Sequence, residues 1–183
     1  MHIIMSFLVV VLLAVGSIFG FYNGMVEKSE AVDAQLHQVE TQLQRRADLI
    51  PNLVSTVKGY ATHEEETLKA VTNARSQVLQ AKSVEAMQEA DASLNTALGR
   101  LLAVSERYPE LKANVNFIQL QDELAGTENR IGVARKGYND AVREYNTKIK
   151  SLPYSLVAGM LGFTEKAYFS SDEKAKEVPK VFF

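Results

Sequence analysis

The hydrophobic pattern divides this chain into two regimes. From Ile3 to Tyr22 it is unbroken: IIMSFLVVVLLAVGSIFGFY carries no charge, and its polar interruptions are Ser6 and Ser17. About twenty helical residues reach about 30 Å, the thickness of a bilayer's hydrocarbon core. Tyr22 closes the run where an aromatic interfacial residue is expected. A cleaved signal peptide is the rival reading. It lacks a basic residue ahead of the run, and a cut after Ala14-Val15-Gly16 would leave SIFGFY as a mature end. The run is therefore read as an uncleaved transmembrane helix over residues 1–23.

Beyond it the pattern becomes periodic. Val32, Leu36, Val39, Leu43, Ala47, Ile50, Val54, Val57 and Ala61 step by three and four, which is one stripe of a helix. The phase passes through Pro51 unchanged and resumes at Leu68, Val71 and Val78, so the spacing predicts a helix, or a pair kinked at Pro51, over 25–81. Lys82-Ser83 reads as a turn with Ser83 as N-cap. A second helix carries Ala86, Ala90, Leu94, Leu98, Leu101 and Val104, and ends near Tyr108-Pro109. PELKANVN is the connection, with Asn114 or Asn116 capping a third helix. That helix has its stripe at Phe117, Leu120, Leu124, Thr127/Glu128, Ile131, Arg135, Tyr138, Val142, Tyr145, Ile149 and Leu152, and stops at Pro153. A rod of about 50 Å needs neighbours along its length, and an antiparallel bundle with the preceding helices supplies them.

The expected fold is thus all-α: an N-terminal transmembrane helix (1–23), then an antiparallel bundle of long helices (24–163). A C-terminal tail (164–183) follows, partly mobile around SSDEKAKE and docking through its last residues, Val181, Phe182 and Phe183. YSLVAGMLGF (154–163) is read as a small cap on the bundle in preference to an interfacial piece lying on a membrane, because it has no basic face.

Tyr-Asn occurs twice within GYNDAVREYNTK, at 138–139 and 145–146. Both tyrosines fall on the apolar stripe. Their rings belong in the core, with hydroxyls that can reach its edge, and the asparagines on the flank can bond across to another helix.

Composition removes many chemistries. The net charge is −2 and basic residues interleave with acidic ones, which argues against a nucleic-acid surface. There is no cysteine, hence no disulfide, thiolate ligand or cysteine nucleophile. His63-Glu64-Glu65-Glu66 opens like a zinc-protease motif, but Thr67 stands where the second histidine is required. No glycine-rich phosphate loop and no Gly-x-Ser-x-Gly occur. No catalytic, cofactor-binding or metal-binding residue is assigned, no cofactor is expected, and the chain is read as not an enzyme. Arg45-Arg46 with Asp48 reads as helix-surface ion pairs rather than a headgroup site. Glu128, Asn129, Arg130 and Arg135 lie on or beside the stripe and read as a half-buried polar network. Gly16, Gly20 and Gly24 line one face of the apolar helix and could let two copies approach closely.

LQRRADLIPNLVSTVKGYATHE (43–64), NAR (73–75), YPELKA (108–113), FIQLQDELAGTENRIGVARKGYNDAVREYN (117–146) and LP (152–153) together resemble the LemA family of bacterial membrane proteins. The resemblance covers nearly the whole chain. It implies one membrane-spanning helix, a short N-terminus outside the cytoplasmic membrane and a helical domain in the cytoplasm, which agrees with the first basic residue, Lys28, lying after the run. It implies no activity. The resulting expectation is a membrane-anchored, self-associating scaffold whose partners are the lipid bilayer, further copies of itself and other membrane proteins, with no nucleic acid. The alternative is an extracytoplasmic sensory or ligand-binding bundle, which requires the opposite topology.

Overall fold

The computed structural model describes residues 2–170, with the side chains at 2, 3, 10, 11, 14 and 15 excepted. Six helices follow in order: α1 (His2–Lys58), α2 (Glu65–Gln80), α3 (Val84–Ser105), α4 (Pro109–Lys112), α5 (Val115–Lys150) and α6 (Ser155–Ala158). The expected all-α architecture of long antiparallel helices is present. Among the described residues no helix is long and apolar enough to cross a membrane. The span expected over 1–23 includes Met1 and six side chains that lie outside the described set.

α1 is one continuous helix of 57 residues, about 85 Å long. Pro51 sits inside it. The expected single or kinked helix over 25–81 is corrected at a different place. The chain breaks at Gly59–Glu64, where the backbone N–H groups of Gly59 and Ala61 bond back to Thr56 and Val57. α2 then runs back along α1, so that Arg75 Nε donates to the carbonyl of Ala47 at 2.9 Å. Proline removes one helical hydrogen bond and leaves the helix continuous, whereas the reversal comes where the helical ladder gives way to the turn at Gly59–Glu64.

α3 reverses again and α5 runs antiparallel to α1. Ser83 caps α3 by accepting from Ala86 N–H, and Asn114 caps α5 by accepting from Phe117 N–H. The α1–α5 seam follows a seven-residue repeat. Met25, Val32, Val39, Arg46 and Leu53 are buried on α1, and Phe117, Leu124, Ile131, Tyr138 and Tyr145 on α5. A repeat of seven keeps two helices in contact over a long distance by winding them gently around each other.

The bundle has two tiers. In the distal tier, α1, α2, α3 and α5 surround a common core. In the proximal tier, nearer the N-terminal run, α2 and α3 have ended and α1 and α5 continue as a pair. α6 and an extended strap, residues 164–170, cover that pair. Ala158 and Phe169 are buried there.

Candidate functional site

The proximal tier holds the densest set of specific polar contacts, and they come from the two Tyr-Asn pairs. Residues seven apart on a helix share a face and are separated by about 10.5 Å along the axis. Three extended residues cover nearly the same distance, about 10 Å. α5 uses this match twice. Tyr138 Oη donates to Ala167 O and Tyr145 Oη to Thr164 O, each at 2.9 Å. Asn139 donates to Phe169 O and accepts from Phe169 N, both at 2.9 Å. Asn146 donates to Lys166 O at 2.9 Å and accepts from Lys166 N at 3.0 Å. The strap therefore runs antiparallel to α5 and is held by its backbone.

Two strap side chains add anchors. The Phe169 ring meets Tyr138 edge-on at 5.1 Å, beneath the Arg135 guanidinium at 5.2 Å. Lys166 Nζ pairs with Asp33 at 2.6 Å and lies 5.5 Å from the centre of the Tyr145 ring. Ser170 bonds Gln88 at the start of α3 through its backbone N–H, at 3.0 Å. Burial, with the nearby Asp33 carboxylate, pushes the phenols of Tyr138 and Tyr145 above the ordinary tyrosine value; Glu85 adds to this at Tyr138. Both remain neutral donors at physiological pH.

Arg135 connects the strap to a buried charge cluster. Its Nη2 lies 2.7 Å from Asp91, which is 1% exposed and also holds Arg46 Nη1 at 2.9 Å. Arg46 reaches Glu128 at 2.5 Å and donates to Asn95. Burial pushes the Asp91 carboxyl up against the pull of Arg135 and Arg46. Three helices thus meet at one carboxylate. Beside it opens a cavity of about 270 Å3 lined by Arg46, Leu53, Asn95, Leu98, Leu124 and Glu128.

Several expectations change on this geometry. The tyrosines are core residues, as their spacing predicts, but the asparagines bond an extended strap rather than another helix. Of the tail expected over 164–183, residues 164–170 form this strap, and the remainder lies outside the described residues. Arg46 is buried rather than part of a surface ion pair, because its position is a core position of the seven-residue repeat; Arg45 faces outward toward Glu123. The expected network at Glu128 and Arg135 exists, and its centre is Asp91, which sequence reasoning passed over. Asp91 lies in the α3 series Val84, Met87, Asp91, Leu94, Leu98, Leu101, Ser105, all buried. A carboxylate on that seam, with Arg46 on the α1 seam, was the available signal.

Glu64, from the failed zinc motif, accepts from Arg107 at 2.9 Å and from Tyr108 Oη at 3.1 Å, tying the α1–α2 turn to the end of α3. Among the described residues no group of His, Cys, Asp or Glu is placed to hold a metal ion. Nothing in the geometry shows an enzymatic activity. Gly16 and Gly20 face open space, whereas a Cβ on Gly24 would come within 2.9 Å of Lys148 Nζ. Val181, Phe182 and Phe183 lie outside the described residues.

The chain is 27% identical over 184 residues to magnetosome protein MamQ 2 of Paramagnetospirillum magneticum, covering 86% of this chain and 67% of that protein. It is 25% identical over 174 residues to magnetosome protein MamQ of Magnetospirillum gryphiswaldense, covering 81% and 64%. It is 27% identical over 173 residues to protein LemA of Metamycoplasma hominis, covering 91% and 78%. The chain thus spans about two thirds of the length of its magnetosome relatives. The model of the LemA family matches residues 35–183, which takes in the buried charge cluster, both Tyr-Asn pairs and the strap they hold. On that match the chain belongs to the LemA family.

Proposed function

We propose that this protein is a membrane-anchored helical scaffold that self-associates, with its bundle on the cytoplasmic side of a bacterial inner membrane and its short N-terminus outside. One observation carries the reading. α1 continues beyond the bundle, and there Ile4, Phe7, Leu8, Leu12, Leu13 and Phe19 are exposed around its circumference. An apolar surface of that kind is stable where hydrocarbon or protein covers it.

A second feature supports the anchor. Where the run ends, Phe21 meets Tyr154 at 5.2 Å and Tyr22 meets Phe163 at 5.7 Å. Aromatic clusters favour the membrane–water boundary. Self-association is supported by Gly16 and Gly20, one turn apart on an open face. Two of the relatives are named as magnetosome proteins, and a role in organising a cellular assembly fits this chain better than a reaction does.

The test has two readouts on the full chain. Membranes washed with alkaline carbonate should retain the protein; release into the wash defeats the anchor. In mild detergent, light scattering should report a discrete homo-oligomer that Gly16→Leu with Gly20→Leu shifts toward smaller species. A monomer at all concentrations would defeat the scaffold. A reporter fused after Phe183 should be active on the cytoplasmic side.

A further inference from the structure

Between α5 and the strap the chain has two faces of opposite character. Tyr154, Val157, Ala158, Leu161 and Phe163 pack inward on the core. Leu152, Leu156 and Met160, four residues apart, are 75%, 70% and 88% exposed. No charged side chain occurs from Ser151 to Thr164. Exposed apolar residues scattered singly are ordinary, but three large ones on one uncharged turn-and-helix segment form a patch.

The position of this patch along α1 gives it meaning. Its inward face is seated against Phe21, Tyr22 and Gly24: Tyr154 packs on Phe21, Phe163 on Tyr22, and the Tyr154 hydroxyl lies 3.5 Å from where a Gly24 Cβ would stand. The patch therefore stands at the level where the apolar run of α1 ends, with exposed Ile18 and Phe19 immediately beyond. Beside it, Lys148 Nζ lies 5.0 Å from the centre of the Tyr154 ring. A long basic side chain next to an apolar patch keeps its ammonium at headgroup height while its stem stays with the apolar surface.

We propose that Leu152, Leu156 and Met160 form an interfacial foot that dips into the headgroup and upper acyl region of the bilayer beside the exit of α1. The occupant of the patch is lipid. The argument is continuity with the apolar run, because a bilayer that takes in α1 up to Tyr22 has its boundary at this level. The inference rests on the membrane-anchor reading and adds to it a second attachment point. Two points of contact hold the bundle at a fixed inclination to the membrane, where a single helix would leave it free to swing.

The absence of native cysteine makes the test direct. Single-cysteine variants Leu12→Cys, Met160→Cys and Glu110→Cys of the full chain are labelled with an environment-sensitive fluorophore. They are reconstituted in phosphatidylethanolamine–phosphatidylglycerol vesicles. Nitroxide lipids carry the quencher either high on the acyl chain or near its end. The label at 160 should be blue-shifted and quenched more by the shallow nitroxide. The label at 12 should be quenched more by the deep one, and the label at 110, at the distal end, by neither. If 12 is quenched and 160 is not, the anchor stands and the foot is wrong. A blue shift at 160 without nitroxide quenching also overturns it, because protein rather than lipid would then cover the patch. If 12 is not quenched, the anchor reading itself fails.

Discussion

Single side chains here do work that their types alone do not announce. Asp91 accepts from two guanidinium groups while almost wholly buried, so its removal leaves the buried Arg46 cation without its closest interior carboxylate and facing the partly exposed Arg135. Asp91→Ala should lower stability by about 3–5 kcal/mol, measured as denaturant unfolding of the full chain in mild detergent. The double variant Arg46→Met with Asp91→Leu should recover most of that loss. It removes the buried pair together, and Arg135, which is partly exposed, can turn to water. Asn139 and Asn146 offer a local test. Each satisfies one N–H and one C=O of the strap, and Ala at either position should weaken strap attachment by about 1–3 kcal/mol. Amide hydrogen exchange should show lost protection at Phe169 for Asn139→Ala and at Lys166 for Asn146→Ala, with the other clamp retained.

At the scale of elements, the strap is a titratable latch. Its two phenol donors have raised pKa values, and the sign follows from that. A group whose proton is held more tightly in the folded state stabilises it fully below the ordinary value of about 10 and loses that contribution as pH rises through the raised one. The facing charges are Asp33 on α1, Glu85 on α3, Arg135 on α5 and Lys166 on the strap itself. Protease cleavage within 164–170 should therefore accelerate at alkaline pH. Tyr138→Phe with Tyr145→Phe should cleave faster at neutral pH and lose most of that pH dependence. How much of this was legible in the sequence varies by element. α3 and α5 declared themselves through apolar stripes and through Ser83 and Asn114, because caps and periodicity are local signals. The turn after Lys58 was masked, since the stripe continues in phase across it and Gly59 is a weaker mark than Pro51. The strap carries no period at all. Its partners read main-chain atoms, which every sequence possesses, so the half of the site that is visible in the sequence is the Tyr-Asn repeat on the helix.

Over the whole molecule, the two tiers imply uneven stability. Four helices close the distal core, while the proximal pair relies on α6 and the strap. A chain ending at Phe163 should keep slow exchange in the distal parts of α1 and α5 and lose it proximally, where Tyr138, Tyr145 and Asn146 become exposed. Lys166 bonds the backbone of Ser29 across 137 positions of sequence, and this long closure gives synthesis a direction. The ribosome makes the proximal half of α1 long before its covering strap, with the 137 positions between Ser29 and Lys166 still to come. Throughout translation that stretch of α1 waits, its Met25, Val32 and Val39 seam uncovered, until α5 and then the strap emerge. Neighbouring ribosomes on one message would hold several such open seams side by side.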